Sequence, residues 1–79
     1  MQITGPADGA TVSSPQVTVA GSAAPGAVVT VNNDILIVGA NGLFLHNMTL
    51  AQGPNVIEVI ASDMSGSQMS ADLVVTYLP

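Results

Sequence analysis

A chain of 79 residues with no Lys, no Arg and five acidic residues cannot neutralise phosphates, which argues against nucleic acid and anionic membrane surfaces as partners. It has no Cys either, so neither a disulfide nor a thiolate metal site can staple so small a domain, and stability must come from apolar burial. No internal salt bridge is expected, and with Phe44 and Tyr77 as the only aromatic residues the core must be aliphatic.

Met1 leads directly into a strand-like Gln2-Ile3-Thr4 with no basic segment, the pattern of a mature or excised domain rather than of a signal peptide. No run of 18 apolar residues is present, so membrane insertion as a helix is not expected. The loop Gly5–Gly9 follows, then a short extended Ala10-Thr11-Val12 and a break at Ser13-Ser14-Pro15. Gln16 to Ser22 alternates, with Val17, Val19 and Gly21 on one side, and predicts a strand. After the Ala24-Pro25-Gly26 turn, Ala27 to Val31 is a strand with Val29 and Val31 inward. Asn32-Asn33 suits a tight hairpin, because both residues tolerate positive φ, and Ile35 to Val38 is its second strand.

Asn41-Gly42 marks the next turn, and Leu43 to Leu50 a strand with Phe44, His46, Met48 and Leu50 on one face. Gly53-Pro54-Asn55 reads as turn chemistry. Val56 to Ala61 reads as a central strand, because Ile57, Val59 and Ala61 fill one face while the other is half apolar. Asp63, Ser65 and Gly66 turn the chain again, and Ser70 to Leu78 places Ala71, Leu73, Val75 and Tyr77 on one face.

No window shows a helical period, and turn signals recur about every ten residues, which argues for an antiparallel sandwich or barrel of about seven short strands. Residues 1–79 form a single domain with no linker and no internal repeat. Its expected core is Val17, Val19, Val29, Val31, Phe44, Met48, Leu50, Ile57, Val59, Leu73, Val75 and Tyr77.

The residues Pro6-Ala7-Asp8-Gly9-Ala10-Thr11-Val12, Val17-Thr18-Val19-Ala20-Gly21 and Pro25-Gly26-Ala27, with Val29-Thr30-Val31-Asn32, resemble a bacterial immunoglobulin-like domain. Asn41-Gly42-Leu43-Phe44, Gly53-Pro54-Asn55, Ile57, Val59, Ala61, Asp63 and Gly66 continue the match. The nearest type is the Ig-like module of glucodextranase and related bacterial surface proteins. The resemblance implies an all-β, seven-stranded antiparallel immunoglobulin-like sandwich, extracellular or at the cell surface. It implies a structural or adhesive module, or alternatively an accessory or spacer domain of a secreted polysaccharide-degrading enzyme. It carries no catalytic residues. The chain departs from the pattern at Asn33 and Ser67, and in placing Ile35, Ile37, Leu43, Leu45, Met64 and Met69 where polar residues are usual.

The polar residues support no chemistry of their own. His46 has no second His or Cys with which to share a metal, and its expected role is structural. No Ser lies in a Gly-x-Ser-x-Gly context. Asp8 and Asp63 sit in turns that would have to meet at one end of a sandwich to begin a calcium site, and calcium wants six to eight oxygen ligands. The simpler expectation is that each caps its own turn. A glycosidase carboxylate pair would lack an aromatic platform and a cleft, and the scarcity of rings speaks against direct carbohydrate binding. The expectation is therefore a non-enzyme with no cofactor and no metal.

One feature points outward. Val28, Ile35, Ile37, Val56, Ile60 and Val74 all fall opposite the inward positions, in strands that a sandwich of this type places in one sheet. A contiguous apolar patch of this kind marks an interaction surface, and the expected partner is a second copy of the chain.

Overall fold

The computed structural model describes all 79 residues and contains strands and turns with no helix. Its elements are β1 (Gln2–Gly5), β2 (Thr11–Val12), β3 (Gln16–Ser22), β4 (Val28–Val31), β5 (Asp34–Ile37), β6 (Leu43–Thr49), β7 (Gly53–Ser62) and β8 (Gln68–Tyr77). They form two sheets, a three-stranded one in the order β1-β3-β6 and a five-stranded one in the order β2-β8-β7-β4-β5. The two expected features that change are strand number and pairing. There are eight strands, because the Gly5–Ala10 segment carries the chain from one sheet to the other. Having crossed, β2 runs parallel to β8, while every other pair is antiparallel.

Local chemistry explains the hairpin between β4 and β5. Asn32 and Asn33 take φ of 47° and 75°, the doubly positive geometry of a two-residue turn whose twist matches that of the strands. Asn32 also ties this turn to β7. Its N–H donates to the Glu58 carbonyl, its Oδ1 accepts from the Glu58 N–H at 2.8 Å, and its Nδ2 donates to the Val56 carbonyl at 3.2 Å. The side chain thus extends the β4–β7 ladder by one step after the backbone has turned away.

Gly53-Pro54-Asn55 is not the turn that its composition suggests. These residues begin β7, opposite Tyr77, Thr76 and Val75. Pro54 is tolerated for a geometric reason. Thr76 donates its N–H to Ala10, on the β2 side, so the Pro54–Thr76 pair exchanges no backbone hydrogen bonds. The proline nitrogen therefore faces away from β8, where β4 has already ended opposite Val59. The turn itself lies just before, and Asn55 closes it from inside the strand. Its Oδ1 accepts from the Ala51 N–H at 3.0 Å, and its Nδ2 donates back to the Ala51 carbonyl at 2.9 Å.

Between the sheets lies an aliphatic core with one ring. Val19, Val29, Val31, Phe44, Leu50, Ile57, Val59, Leu73 and Val75 are buried as expected, joined by Ala27, Val38 and Ala61. Val17, Met48 and Tyr77 are only half-buried and pack on the rim of this cluster. Alternation gives a side chain's direction but not its depth. Val17 and Met48 pair near one end of the three-stranded sheet, and Tyr77 ends β8, so each has a covering layer on one side only.

Candidate functional site

The outer face of the five-stranded sheet collects all six outward aliphatics. Cross-strand register places Ile37 beside Val28, Ile35 beside Thr30, Thr30 beside Ile60, and Val56 beside Val74. Ile35 and Ile37 are 71% and 73% exposed and Val56 is 65% exposed, whereas Ile60 is half-buried. In a two-residue hairpin Val31 and Asp34 form the hydrogen-bonded pair, so Thr30–Ile35 and Val28–Ile37 are non-hydrogen-bonded pairs. In such pairs side chains approach most closely. Val28, Ile35, Ile37 and Ile60, with the Thr30 methyl between them, form one apolar field.

Val56 and Val74 are separated from that field by an acidic row. Glu58 lies directly opposite Asp72. The backbone groups of Glu58 point to Asn32, so this pair too is of the close, non-hydrogen-bonded kind. Like charges in that position disfavour the pairing, and a chain without Lys or Arg has no side-chain cation to place between them.

The remaining acids are engaged in local structure. Asp8 does not cap its own turn as expected: its Oδ1 accepts the Val74 N–H at 2.8 Å, and so stitches the loop before β2 to β8. Asp63 closes the β7–β8 hairpin by accepting the Ser65 hydroxyl at 2.6 Å and the N–H groups of Ser65 and Ser67, both at 3.0 Å. The two do not meet. Asp63 follows the Ser62–Gln68 pair, while Asp8 binds six residues further along β8, roughly 20 Å away at strand rise. No three His, Asp or Glu side chains come together in a way that could hold a metal ion.

One polar side-chain contact crosses between the sheets, an ion pair only when its histidine is protonated. His46 Nε2 lies 3.1 Å from Asp34 Oδ2, joining β6 of one sheet to β5 of the other. Asp34 is 68% exposed, so the contact is worth little energetically. The histidine's partner is a carboxylate across the sheets, which no local pattern could have named. The outer side of the three-stranded sheet carries a shallow hollow of about 340 Å³ lined by Ala20, Gly21, Leu43, Phe44 and Leu45 together with the polar Thr4 and Asn41. No acid, base or nucleophile converges there.

Asp63 supplies the one resolved pH dependence. The Ser65 hydroxyl first, and the Ser67 N–H next, stabilise its carboxylate and hold its pKa below the ordinary aspartate value. A lowered folded-state pKa adds stability that is fully present above roughly 3.9, and that is lost as pH falls through the lowered value. Asp63→Asn is therefore expected to be less stable than the parent chain at neutral pH, with the gap closing as pH drops below about 4. Denaturant midpoints measured at both pH values check this, and a gap that widens on acidification contradicts it.

Two packed sheets, the chain crossing between them at both ends and a buried aliphatic layer define an immunoglobulin-like sandwich module. The chain belongs to the family described as glucodextranase, domain B, which it matches over residues 1–77. No curated protein gives a significant match.

Proposed function

We propose that this domain is a non-catalytic accessory module of a secreted or surface-attached bacterial carbohydrate-active protein, and that it works by contact through the outer face of its five-stranded sheet. Membership of a family named for a domain of glucodextranase favours the accessory role over the purely adhesive one. The side chains agree with a role without turnover. Asp63 is spent on its turn, Asp8 on the Val74 N–H of β8 and His46 on a cross-sheet contact, and no acid or base lines the hollow on the three-stranded sheet. Phe44 is buried and Tyr77 half-buried, so no exposed flat ring is offered to a sugar face.

The observation that carries the contact role is the field of Val28, Ile35, Ile37 and Ile60, with Val56 and Val74 beyond the acidic row. Its apolar area is on the order of several hundred Å², the range in which the largest patch of a monomer is often functional. The occupant we assign is a second copy seated on the Val28, Ile35, Ile37 and Ile60 field, which is itself uncharged, with the Glu58–Asp72 row left at its margin. Sedimentation of the domain at tens of micromolar is expected to show association that high salt does not dissolve. Ile37→Lys and Ile60→Lys should each return it toward monomer, since each puts a charge in the field. A strict monomer, unchanged by either substitution, contradicts the proposal.

A further inference from the structure

A second contact surface, independent of the apolar field, follows from the hydrogen-bond register of β6. Leu50 donates its N–H to Pro15 and Ala23 donates to Gly42, which fixes which residues of β6 bond to β3. Counting inward from both ends, Phe44, His46 and Met48 exchange backbone hydrogen bonds with Gly21, Val19 and Val17. Leu43, Leu45, Asn47 and Thr49 therefore turn their N–H and C=O groups to the open side. At one end Leu43 is already occupied, its N–H by Asn41 Oδ1 at 3.0 Å and its carbonyl by the Gly39 N–H. At the other end Ala51, next in the same alternation, is occupied on both groups by Asn55.

What remains is a bounded set of free groups on Leu45, Asn47 and Thr49, symmetric about Asn47. Natural sheets guard such an edge with Lys, Pro, a bulge or a covering segment. This one has no Lys, no Pro and no bulge, because β3–β6 pairing is regular from Gln16–Thr49 to Ser22–Leu43. Contact with β5 comes through His46, whose side chain points to the core side and leaves the edge groups free.

We propose that β6 is a strand-addition site whose occupant is β6 of a second copy, running antiparallel about a two-fold axis at Asn47. The set is self-complementary. Leu45 faces the partner's Thr49, Asn47 faces its own counterpart, and all three free N–H groups on each side find a free carbonyl. The two ends already closed by Asn41 and Asn55 permit no other register that satisfies every group. Side chains fit the same axis. Asn47 Oδ1 accepts from Thr18 at 2.7 Å, which fixes the amide and leaves its Nδ2 donor for the partner. Leu45, 69% exposed, gains cover at the rim of the hollow. Since the chain carries a net charge of −5 and β6 contains no acidic residue, salt should strengthen this pairing by screening.

Amide hydrogen exchange of the Ile37→Lys variant, measured in dilute and concentrated solution, separates this edge from the apolar face. The expected result is a concentration-dependent rise in protection, by tenfold or more, at Leu45, Asn47 and Thr49. Asn47→Pro should abolish that rise, because proline removes a free donor without removing a bond to β3. Leu45→Lys provides a second variant with the same expected outcome should the proline perturb folding. Protection at these three amides that does not change with concentration overturns the proposal, whether or not the unsubstituted domain associates through its other face.

Discussion

Replacing Ile57 by Ala is expected to cost about 2–5 kcal/mol, the range for removing a fully enclosed aliphatic side chain from a core. Ile57 has no exposed surface and lies on β7, the strand between β8 and β4, facing Leu73 across the ladder. A chain of 79 residues has a total stability of roughly 4–12 kcal/mol, so one such cavity removes a large share of it. With no disulfide, and no Lys or Arg to build an ion-pair network that would offset the loss, the denaturant midpoint should fall by a large share of its parent value. The neighbouring Val56 gives the control. It is 65% exposed, and Val56→Ala in dilute solution should move stability by no more than about 0.5 kcal/mol. Denaturant unfolding followed by circular dichroism checks both, and equal effects at the two positions would contradict the layering described here.

The second large effect is expected where a side chain is missing. Gly21 faces the core opposite Phe44, whose ring lies over the glycine. A Cβ at this position would sit 2.5 Å from the Gln2 carbonyl oxygen and 2.5 Å from the Phe44 ring. The ring can shift in part, but the carbonyl belongs to the backbone of β1 and moves only with that strand. Gly21→Ala is therefore expected to cost about 1–3 kcal/mol, as overpacking does, lowering the melting temperature by several degrees or more. Adding Phe44→Leu should relieve only the contact with the ring. The double variant should thus be less destabilised than the sum of the two single ones, yet not return to the stability of Phe44→Leu alone. A Gly21→Ala domain as stable as the parent would show that β1 is not held where the structure places it.

These effects were unequally visible in the chain. The β4–β5 hairpin was legible because Asn32 and Asn33 are among the few non-glycine residues that accept positive φ, and the outward aliphatics were legible because strand alternation is local. That they share one sheet followed from the expected sandwich type. Pro54 misled because its acceptability depends on which side of β7 lacks a neighbour, a fact of sheet order and not of composition. The acids at 58 and 72 were visible individually, but their direct apposition is set by the pairing of two ten-residue strands around the Asp63–Ser67 turn. The free edge of β6 was equally hidden, since it depends on the bonding parity of β3 and on two asparagines outside the strand. His46 illustrates the general limit. Its inward direction could be read from alternation, but its partner comes from the opposite sheet.

The most direct test of the contact role is a concentration series of backbone amide spectra on the unsubstituted domain, from dilute solution upward. The account predicts that shifts concentrate on the strands bearing Val28, Ile35, Ile37 and Ile60, and on Leu45, Asn47 and Thr49, while the Asp63–Ser67 turn and the Asp8 loop stay unchanged. Spectra that do not vary with concentration, or that change first in those two turns, would contradict it.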